Sequence, residues 1–246
     1  TPQTVTVTGV NDNNSDGHQE YDISLSAANV LTNNPEVTTL AGSGSPTFAD
    51  GTGTAAKFKH PWGMTTDGTN LYVADSNNHR IRKIVIATGV VTCFAGPGCT
   101  GSAHGWRATF NAPRGITTDG INLYVADTDN HKIRKIILFN TAVSGSDEGE
   151  VTTLAGSGSP GSADGTGPAA TFNKPRAITT DGTNLYVADN SNHKIRKIVI
   201  STGVVTTLAG STQGFQDGTG TSAKFNYPHG IITDGTNLYV ADSVNY

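Results

Sequence analysis

The chain has 246 residues, a formal net charge of −4 at pH 7 and a pI near 5.9. This acidic balance argues against a nucleic-acid partner, and the sequence contains no stretch approaching the roughly 18 apolar residues of a membrane-spanning helix. Thirty glycines among many threonines, serines and asparagines are typical of short strands joined by turns. The composition therefore predicts an all-β protein without membrane insertion.

Residues 1–35 are predicted to be an N-terminal β-strand segment and linker. TVTVTGV and YDISLSA alternate polar and apolar residues, as half-buried strands do. The loop between them contains Asp12, Asn14 and Asp16, and Ca²⁺ prefers clustered oxygen ligands of this kind. We favour the alternative, a solvated turn, for these three residues. The strand pair bears a weak resemblance to Calx-β and similar bacterial surface modules.

Residues 36–246 repeat one pattern of landmarks in a fixed order. A VTTLAG-type stretch comes first, then a phenylalanine, a proline three residues later, and the stretch LYVAD. The aspartates that close LYVAD are 52, 62 and 53 residues apart, at Asp75, Asp127, Asp189 and Asp242. The long interval contains the insertion LFNTAVSGSDEGE, so the underlying period is near 53 residues.

Each repeated unit is predicted to contain four short strands. The turn Asp-Gly-Thr-Asn between two β-rich runs indicates a tight hairpin, because Gly adopts positive φ and Asp or Asn tolerates it. Four strands at a fixed period are typical of a β-propeller blade, and blades must stack around an axis to bury both faces. In the first unit the predicted strands are 63–67, 71–75, 79–86 and 90–96.

The first and last parts of this region are predicted to be incomplete units. Residues 37–42 are interpreted as a fourth strand without its three predecessors, and the last unit has first and second strands without successors. We therefore expect the four visible units to be part of a larger ring. A compact four-bladed ring is the less favoured alternative.

The stretch NHRIRKI at 78–84, together with PWG and LYVAD, closely resembles the NHL-repeat family. The Asn-His pair of that family recurs at 78–79, 130–131 and 192–193. The resemblance covers residues 36–246 and implies a propeller, most often of six blades. A link of about twenty residues before each first strand departs from the family pattern, and its phenylalanine is expected to pack the link onto the blades.

Repetition argues for structural roles for the histidines and aspartates of these units. Equivalent positions on different blades are too far apart to share an ion, so the histidines are predicted to hydrogen-bond the loop and the LYVAD aspartate. Acid–base catalysis needs carboxylates in different environments, whereas repetition gives the same environment each time. The aspartates are therefore predicted to accept backbone N–H bonds, and no catalytic residue is assigned. The histidines are His79, His131 and His193.

Five residues are candidate ligand contacts. Asp50, Asp164 and Asp217 recur in an Asp-Gly-x-Gly loop that can hold a cation or a sugar hydroxyl, or can simply form a turn. Trp62 and Trp106 are unique to their units, so the repeat does not explain them. They are candidate contacts for a carbohydrate or a protein.

The third strands contain nine of the sixteen basic residues. Aromatic residues do not interleave with them as the stacking platforms of nucleic-acid-binding proteins do. We expect these basic residues to form salt bridges to acidic residues on adjoining blades, and we expect no nucleic-acid binding.

The two cysteines, Cys93 and Cys99, lie six residues apart in one unit and nowhere else. This placement predicts a local disulfide, and two unrelated thiols are the alternative.

These features favour a non-enzymatic extracellular or cell-surface propeller that acts as a structural or interaction module. Its expected partners are other protein chains, further copies of itself in a filament, or glycans, and its expected cofactor is none unless calcium binds. The alternative is a propeller enzyme, a metal-dependent lyase or hydrolase. That enzyme needs non-repeated His and acidic residues at the axis, and the sequence pattern does not show such a set. Fold alone does not separate these functions.

Overall fold

The structure is a computed structural model that describes residues 5–7, 21–23, 37–97, 99, 108–138 and 149–245. Backbone contacts divide the chain into two compact units, Thr1–Thr38 and Thr39–Tyr246. In the first unit β1 (Val5–Val7) pairs antiparallel with β2 (Tyr21–Ile23). The proposed calcium ligands Asp12, Asn14 and Asp16 lie outside the described residues.

The second unit consists of antiparallel sheets that correspond to the repeated units. The first sheet, blade 1, has four strands in sequential order: β4 (Pro61–Thr66), β5 (Asn70–Asp75), β6 (Arg80–Val85) and β7 (Val90–Ala95). A fifth, very short strand, β3 (Gly51–Thr52), lies outside β7.

The Asp-Gly-Thr-Asn turn between β4 and β5 shows why this sequence forms a hairpin. One carboxylate oxygen of Asp67 accepts the backbone N–H groups of Thr69 and Asn70, at 2.8 and 2.6 Å. The other accepts the hydroxyl of Tyr72 at 2.9 Å. These bonds hold the pKa of Asp67 at about 2, although partial burial alone would raise it. The carboxylate therefore stays ionised and closes the turn.

Blades 2 and 3 repeat this arrangement, and blade 4 contains two strands. Blade 2 contains β8 (Pro113–Thr118), β9 (Asn122–Asp127), β10 (Lys132–Ile137) and β11 (Val151–Ala155). Blade 3 contains β12 (Gly165–Thr166), β13 (Pro175–Thr180), β14 (Asn184–Asp189), β15 (Lys194–Val199) and β16 (Val204–Ala209). Blade 4 contains β17 (Pro228–Thr233) and β18 (Leu238–Asp242).

The link before a blade returns to the outer edge of that same blade. In blade 1 Gly51 lies opposite Val91 on β7, and in blade 3 Gly165 lies opposite Val205 on β16. These two-residue strands were not predicted from the sequence. They cover part of the edge that an outermost strand would otherwise present for pairing with another chain.

The hydrophobic cores lie between successive blades. Tyr72 and Phe94 of blade 1 pack in one cluster with Ile116 and Leu123 of blade 2. Tyr124 of blade 2 lies in a second cluster with Ile178 and Leu185 of blade 3. The innermost strands β4, β8, β13 and β17 pack against one another in chain order. This stacking is the architecture of a β-propeller, as predicted.

Residues 37–42 differ from the prediction of a fourth strand. They form no strand, and Val37 is 95% exposed. The N–H of Gly42 donates to the carbonyl of Gly53 at 3.1 Å, as Gly156 does to Gly167 in the link of blade 3. Gly42 therefore makes the same backbone bond as its equivalent Gly156. Residues 37–42 form no strand, because no third strand lies beside them among the described residues.

Candidate functional site

The second residue of each innermost strand follows the proline of its unit and differs between units. These residues are Trp62 on β4, Arg114 on β8, Arg176 on β13 and His229 on β17. Because the innermost strands of a propeller surround the axis, equivalent positions on them come closest together. These four side chains are called the axial cluster below.

Close packing of the backbone brings the axial cluster together. A Cβ atom on Gly63 would lie 2.4 Å from the carbonyl oxygen of Arg114. A Cβ atom on Gly115 would lie 2.5 Å from the carbonyl oxygen of Arg176. Glycine next to the cluster residue therefore lets neighbouring innermost strands approach closely, which also brings the preceding side chains close.

The side chains of the axial cluster are in mutual contact. The ring centroids of Trp62 and His229 are 5.3 Å apart, with their planes tilted by 34°. The guanidinium carbon of Arg114 lies 4.5 Å from the Trp62 ring centroid, and that of Arg176 lies 5.9 Å away. Arg176 Nη1 also contacts His229 Nε2. Trp62 remains 48% exposed, so a ligand can reach the cluster from solvent.

The cluster concentrates positive charge. Burial lowers the pKa of His229, and the charges of Arg176 and Arg114 lower it further. The imidazole is therefore neutral at neutral pH, and its Nε2 accepts a hydrogen bond from Arg176. Burial, followed by the charge of Arg114, also lowers the pKa of Arg176, against a smaller opposing effect of Asp129.

The two arginines have no acidic partner among the described residues. Neither Arg114 nor Arg176 forms an ion pair there, whereas Arg82 and Arg196 each do. The arrangement can therefore bind an anionic group beside an aromatic surface.

The predicted loop ligands occupy different surroundings. Asp50 Oδ1 accepts from Arg82 Nη2 at 2.6 Å, and Asp164 Oδ1 accepts from Arg196 Nη2 at 2.8 Å. These two carboxylates therefore anchor the links to their blades, while Asp217 in the last unit is exposed. Trp62 is part of the axial cluster, and Trp106 lies outside the described residues.

The repeated aspartates accept the backbone N–H groups of the residue two before the unit's proline. Asp75 accepts the N–H of Lys59 at 2.7 Å, and Asp127 accepts that of Asn111 at 2.8 Å. Asp189 and Asp242 accept the equivalent bonds from Asn173 and Asn226.

The arginine of each complete third strand pairs within its own unit, and the prediction of bridges to adjoining blades is wrong for these arginines. Arg82 Nη1 donates to Asp75 at 3.0 Å, and Arg134 and Arg196 bond Asp127 and Asp189 in the same way. The aspartate ends the second strand directly opposite the first residue of the third strand, which places it beside the arginine two residues further on.

The repeated histidines join successive blades. His79 Nδ1 accepts the N–H of Ala112 at 3.0 Å, and His131 and His193 accept those of Lys174 and Tyr227 at 3.1 Å. The prediction that histidine bonds the LYVAD aspartate is wrong, because the preceding asparagine makes that bond. The left-handed backbone of His79, with φ 56°, turns its ring toward the next blade.

Cys93 and Cys99 form the predicted disulfide, with their Cα atoms 5.0 Å apart. Among the described residues no group of three or more His, Cys, Asp or Glu is placed to hold a metal ion. Within those residues no helix is long and apolar enough to cross a membrane.

Three of the four axial residues were missed in the sequence. Comparison of the units emphasised the residues they share, whereas Arg114, Arg176 and His229 occupy a position where the units differ. The usable signal was the residue after each proline, which reads Trp, Arg, Arg and His along the chain.

The fold and the repeats define the class of protein. The family model described as "NHL repeat" matches residues 58–84, which span the link phenylalanine, the hairpin and the third strand of blade 1. The chain contains an NHL repeat at this position, and its fold is that of a β-propeller. The resemblance of residues 1–30 to Calx-β modules is not borne out.

Curated relatives share this sequence at modest identity. The chain is 31% identical over 229 residues to NHL repeat-containing protein 2 of Gallus gallus, covering 80% of this chain and 31% of the relative. It is 31% identical over 235 residues to Protein SUPPRESSOR OF QUENCHING 1, chloroplastic, of Arabidopsis thaliana, covering 86% of this chain and 21% of the relative. The chain thus spans about a fifth to a third of these relatives.

A solved structure supports the fold alone. An auxiliary nutrient binding protein from Bacteroides thetaiotaomicron superposes with a TM-score of 0.60 at 21% identity. The match covers 77% of this chain and 47% of that protein.

Proposed function

We propose that this chain is a non-enzymatic, extracellular or cell-surface interaction module that contacts a protein partner through the axial cluster. The observation that carries the proposal is the convergence of Trp62, Arg114, Arg176 and His229 at one end of the innermost strands. Tryptophan and arginine are the residue types that dominate the binding energy of protein interfaces. The half-exposed Trp62 side chain provides a large contact area, and a tryptophan side chain loses little conformational freedom on binding.

The internal use of the repeated residues supports this choice. The repeated aspartates, asparagines, arginines and histidines bond within and between blades, so they are already engaged. The axial cluster places Arg114 beside Arg176 without a described acidic partner. Two adjacent like charges reduce stability, and sites that sacrifice stability in this way are typical of function.

The location outside the cell is supported by the disulfide between Cys93 and Cys99. Disulfides persist in oxidising environments. A binding role also fits the superposed protein described as an auxiliary nutrient binding protein. Filament assembly by edge pairing is not part of the proposal, and β3 and β12 already pair with part of the outer strands of blades 1 and 3.

Site-specific photo-crosslinking on intact source cells tests the proposal. A photoreactive residue at position 62 is compared with one at position 121, where Ile121 is 61% exposed in the hairpin turn at the far end of β8. We expect a discrete crosslinked product from position 62, absent from position 121 and reduced by Arg114→Gln. Equal crosslinking at both positions, or no effect of Arg114→Gln, contradicts the axial contact.

Protease accessibility on the same cells tests the location. We expect the chain to be digested without cell lysis, whereas protection until lysis contradicts an extracellular location.

A further inference from the structure

We infer that the axial cluster is a carboxylate-binding site, in which Arg114 and Arg176 grip the two oxygens of a partner's carboxylate beside the Trp62 ring. The inference rests on the proposed function for the location of the site. It adds the chemical class of the group that is recognised.

The first step is the charge balance of the cluster. Arg114 and Arg176 both lie within 6 Å of the Trp62 ring centroid. No described carboxylate pairs with either, although the third-strand arginines Arg82 and Arg196 each pair with two aspartates. Among the residues that the structure describes, the fold therefore neutralises its structural arginines and leaves the axial pair without a counter-ion. An anion supplied from outside removes the repulsion between them.

The second step is the shape of the donors. A guanidinium group presents N–H donors in a planar fork that matches the two oxygens of a carboxylate. Neither Arg114 nor Arg176 has an ion-pair partner among the described residues, and Arg176 has an Nη1 donor directed at His229. The neutral His229 fixes one end of Arg176, so the guanidinium is held before a ligand arrives.

The third step is the aromatic surface. The guanidinium of Arg114 lies over the Trp62 ring, with its central carbon 4.5 Å from the ring centroid. A peptide carboxylate carries apolar CH₂ groups that can rest on the exposed part of Trp62. Inorganic phosphate has the charge but lacks this apolar part, so it serves as the comparison ligand.

Tryptophan fluorescence provides a direct assay. The chain contains two tryptophans, so a Trp106→Phe background leaves Trp62 as the reporter. The probes are a blocked peptide with one glutamate, a peptide with a free carboxyl terminus and no acidic side chain, and inorganic phosphate. We expect at least one peptide to bind more tightly than phosphate. The first two probes distinguish a side-chain carboxylate from a terminal one.

Matched variants locate the site. Arg114→Gln and Arg176→Gln are each expected to weaken peptide binding by about tenfold or more, because each removes a charge-assisted donor pair. Arg114→Lys keeps the charge but loses the fork, and we expect an intermediate loss. Lys197→Gln removes one positive charge from β15, two strands outward in blade 3, and should leave binding unchanged. Melting curves establish that each variant is folded.

The outcomes separate this inference from the proposed function. Peptide binding that fails, is weaker than that of phosphate, or survives both glutamine variants overturns the carboxylate site. If crosslinking at position 62 still depends on Arg114 in that case, the protein-binding proposal stands. Peptide binding without a crosslinked partner supports the carboxylate site and contradicts the proposed function.

Discussion

Replacing Arg196 with methionine should separate the link of blade 3 from its sheet. The Arg196 side chain is fully buried. Its Nη1 atom donates to Asp189 at 2.9 Å and to the carbonyl of Thr171 at 3.0 Å. Its Nη2 atom donates to Asp164 at 2.8 Å and to the carbonyl of Ala163 at 2.9 Å. One side chain thus joins the third strand to three residues of the link.

The expected loss in free energy of unfolding is about 3–5 kcal/mol, the usual cost of removing one partner of a buried ion pair. Four hydrogen bonds from a charged donor, at about 1.5–3 kcal/mol each, would add to more. Contributions within one network are not additive, so we take the smaller figure. Arg134→Met is the matched control, because Arg134 is 13% exposed and pairs with the single aspartate Asp127 among the described residues. Its loss should be about half as large.

Urea denaturation followed by circular dichroism measures the two free energies. Hydrogen exchange gives the local readout, since amides of residues 157–171 should exchange faster in Arg196→Met and at the original rate in Arg134→Met. The double variant Asp189→Asn/Arg196→Met should recover part of the loss, because it removes the unpaired charge while the amide oxygen can still accept the N–H of Asn173. A loss below about 1 kcal/mol with unchanged exchange in the link would refute the anchoring role of Arg196.

Three further predictions follow from the histidines and the axis. Burial lowers the pKa of His131 and of His193 below the ordinary 6.5, so unfolded chains bind more protons. The free energy of unfolding should therefore decrease as the pH falls below about 6.5, and this dependence should weaken in His193→Gln, as urea titrations at pH 7.5 and 5.5 would show. Protonation of His229 removes the acceptor that holds Arg176, so peptide affinity by fluorescence should be lower at pH 5.5 than at pH 8, and pH-independent in His229→Gln. Gly115→Ala should cost about 1–3 kcal/mol, because its Cβ meets backbone at 2.5 Å. Gly230→Ala, whose Cβ meets a side chain at 3.4 Å, should be nearly neutral, and equal melting temperatures would contradict this difference.

The strands were predictable because their signals are local. The hairpin of blade 1 was predicted at 63–67 and 71–75 and is observed at Pro61–Thr66 and Asn70–Asp75. The predicted third strand began at His79 and begins at Arg80, because His79 is in the left-handed region. The alternation of apolar residues and the turn chemistry contain this information.

The missed elements depend on distant contacts. A Gly-Thr pair such as β3 has no periodicity, and its strand conformation exists because the link returns to Val91 on β7. Residues 37–42 carry the strand pattern of VTTLAG but have no described third strand beside them, so the pattern alone was misleading. In both cases the neighbouring strand decides the structure, as is general for β-strands.

The axial cluster illustrates the same limit for function. Trp62 was recognised because no other unit has a tryptophan there, while each arginine and the histidine looked ordinary in its own unit. The ring of blades brings these residues together, because residues at one repeat position are far apart on outer strands and close together on innermost strands. Substitution at this position changes the side chains that surround the axis and does not disturb the bonds made by Asp75, Arg82 and their equivalents. A propeller of near-identical blades can thus form a composite site from one residue of each blade, and its specificity depends on the order in which those residues surround the axis.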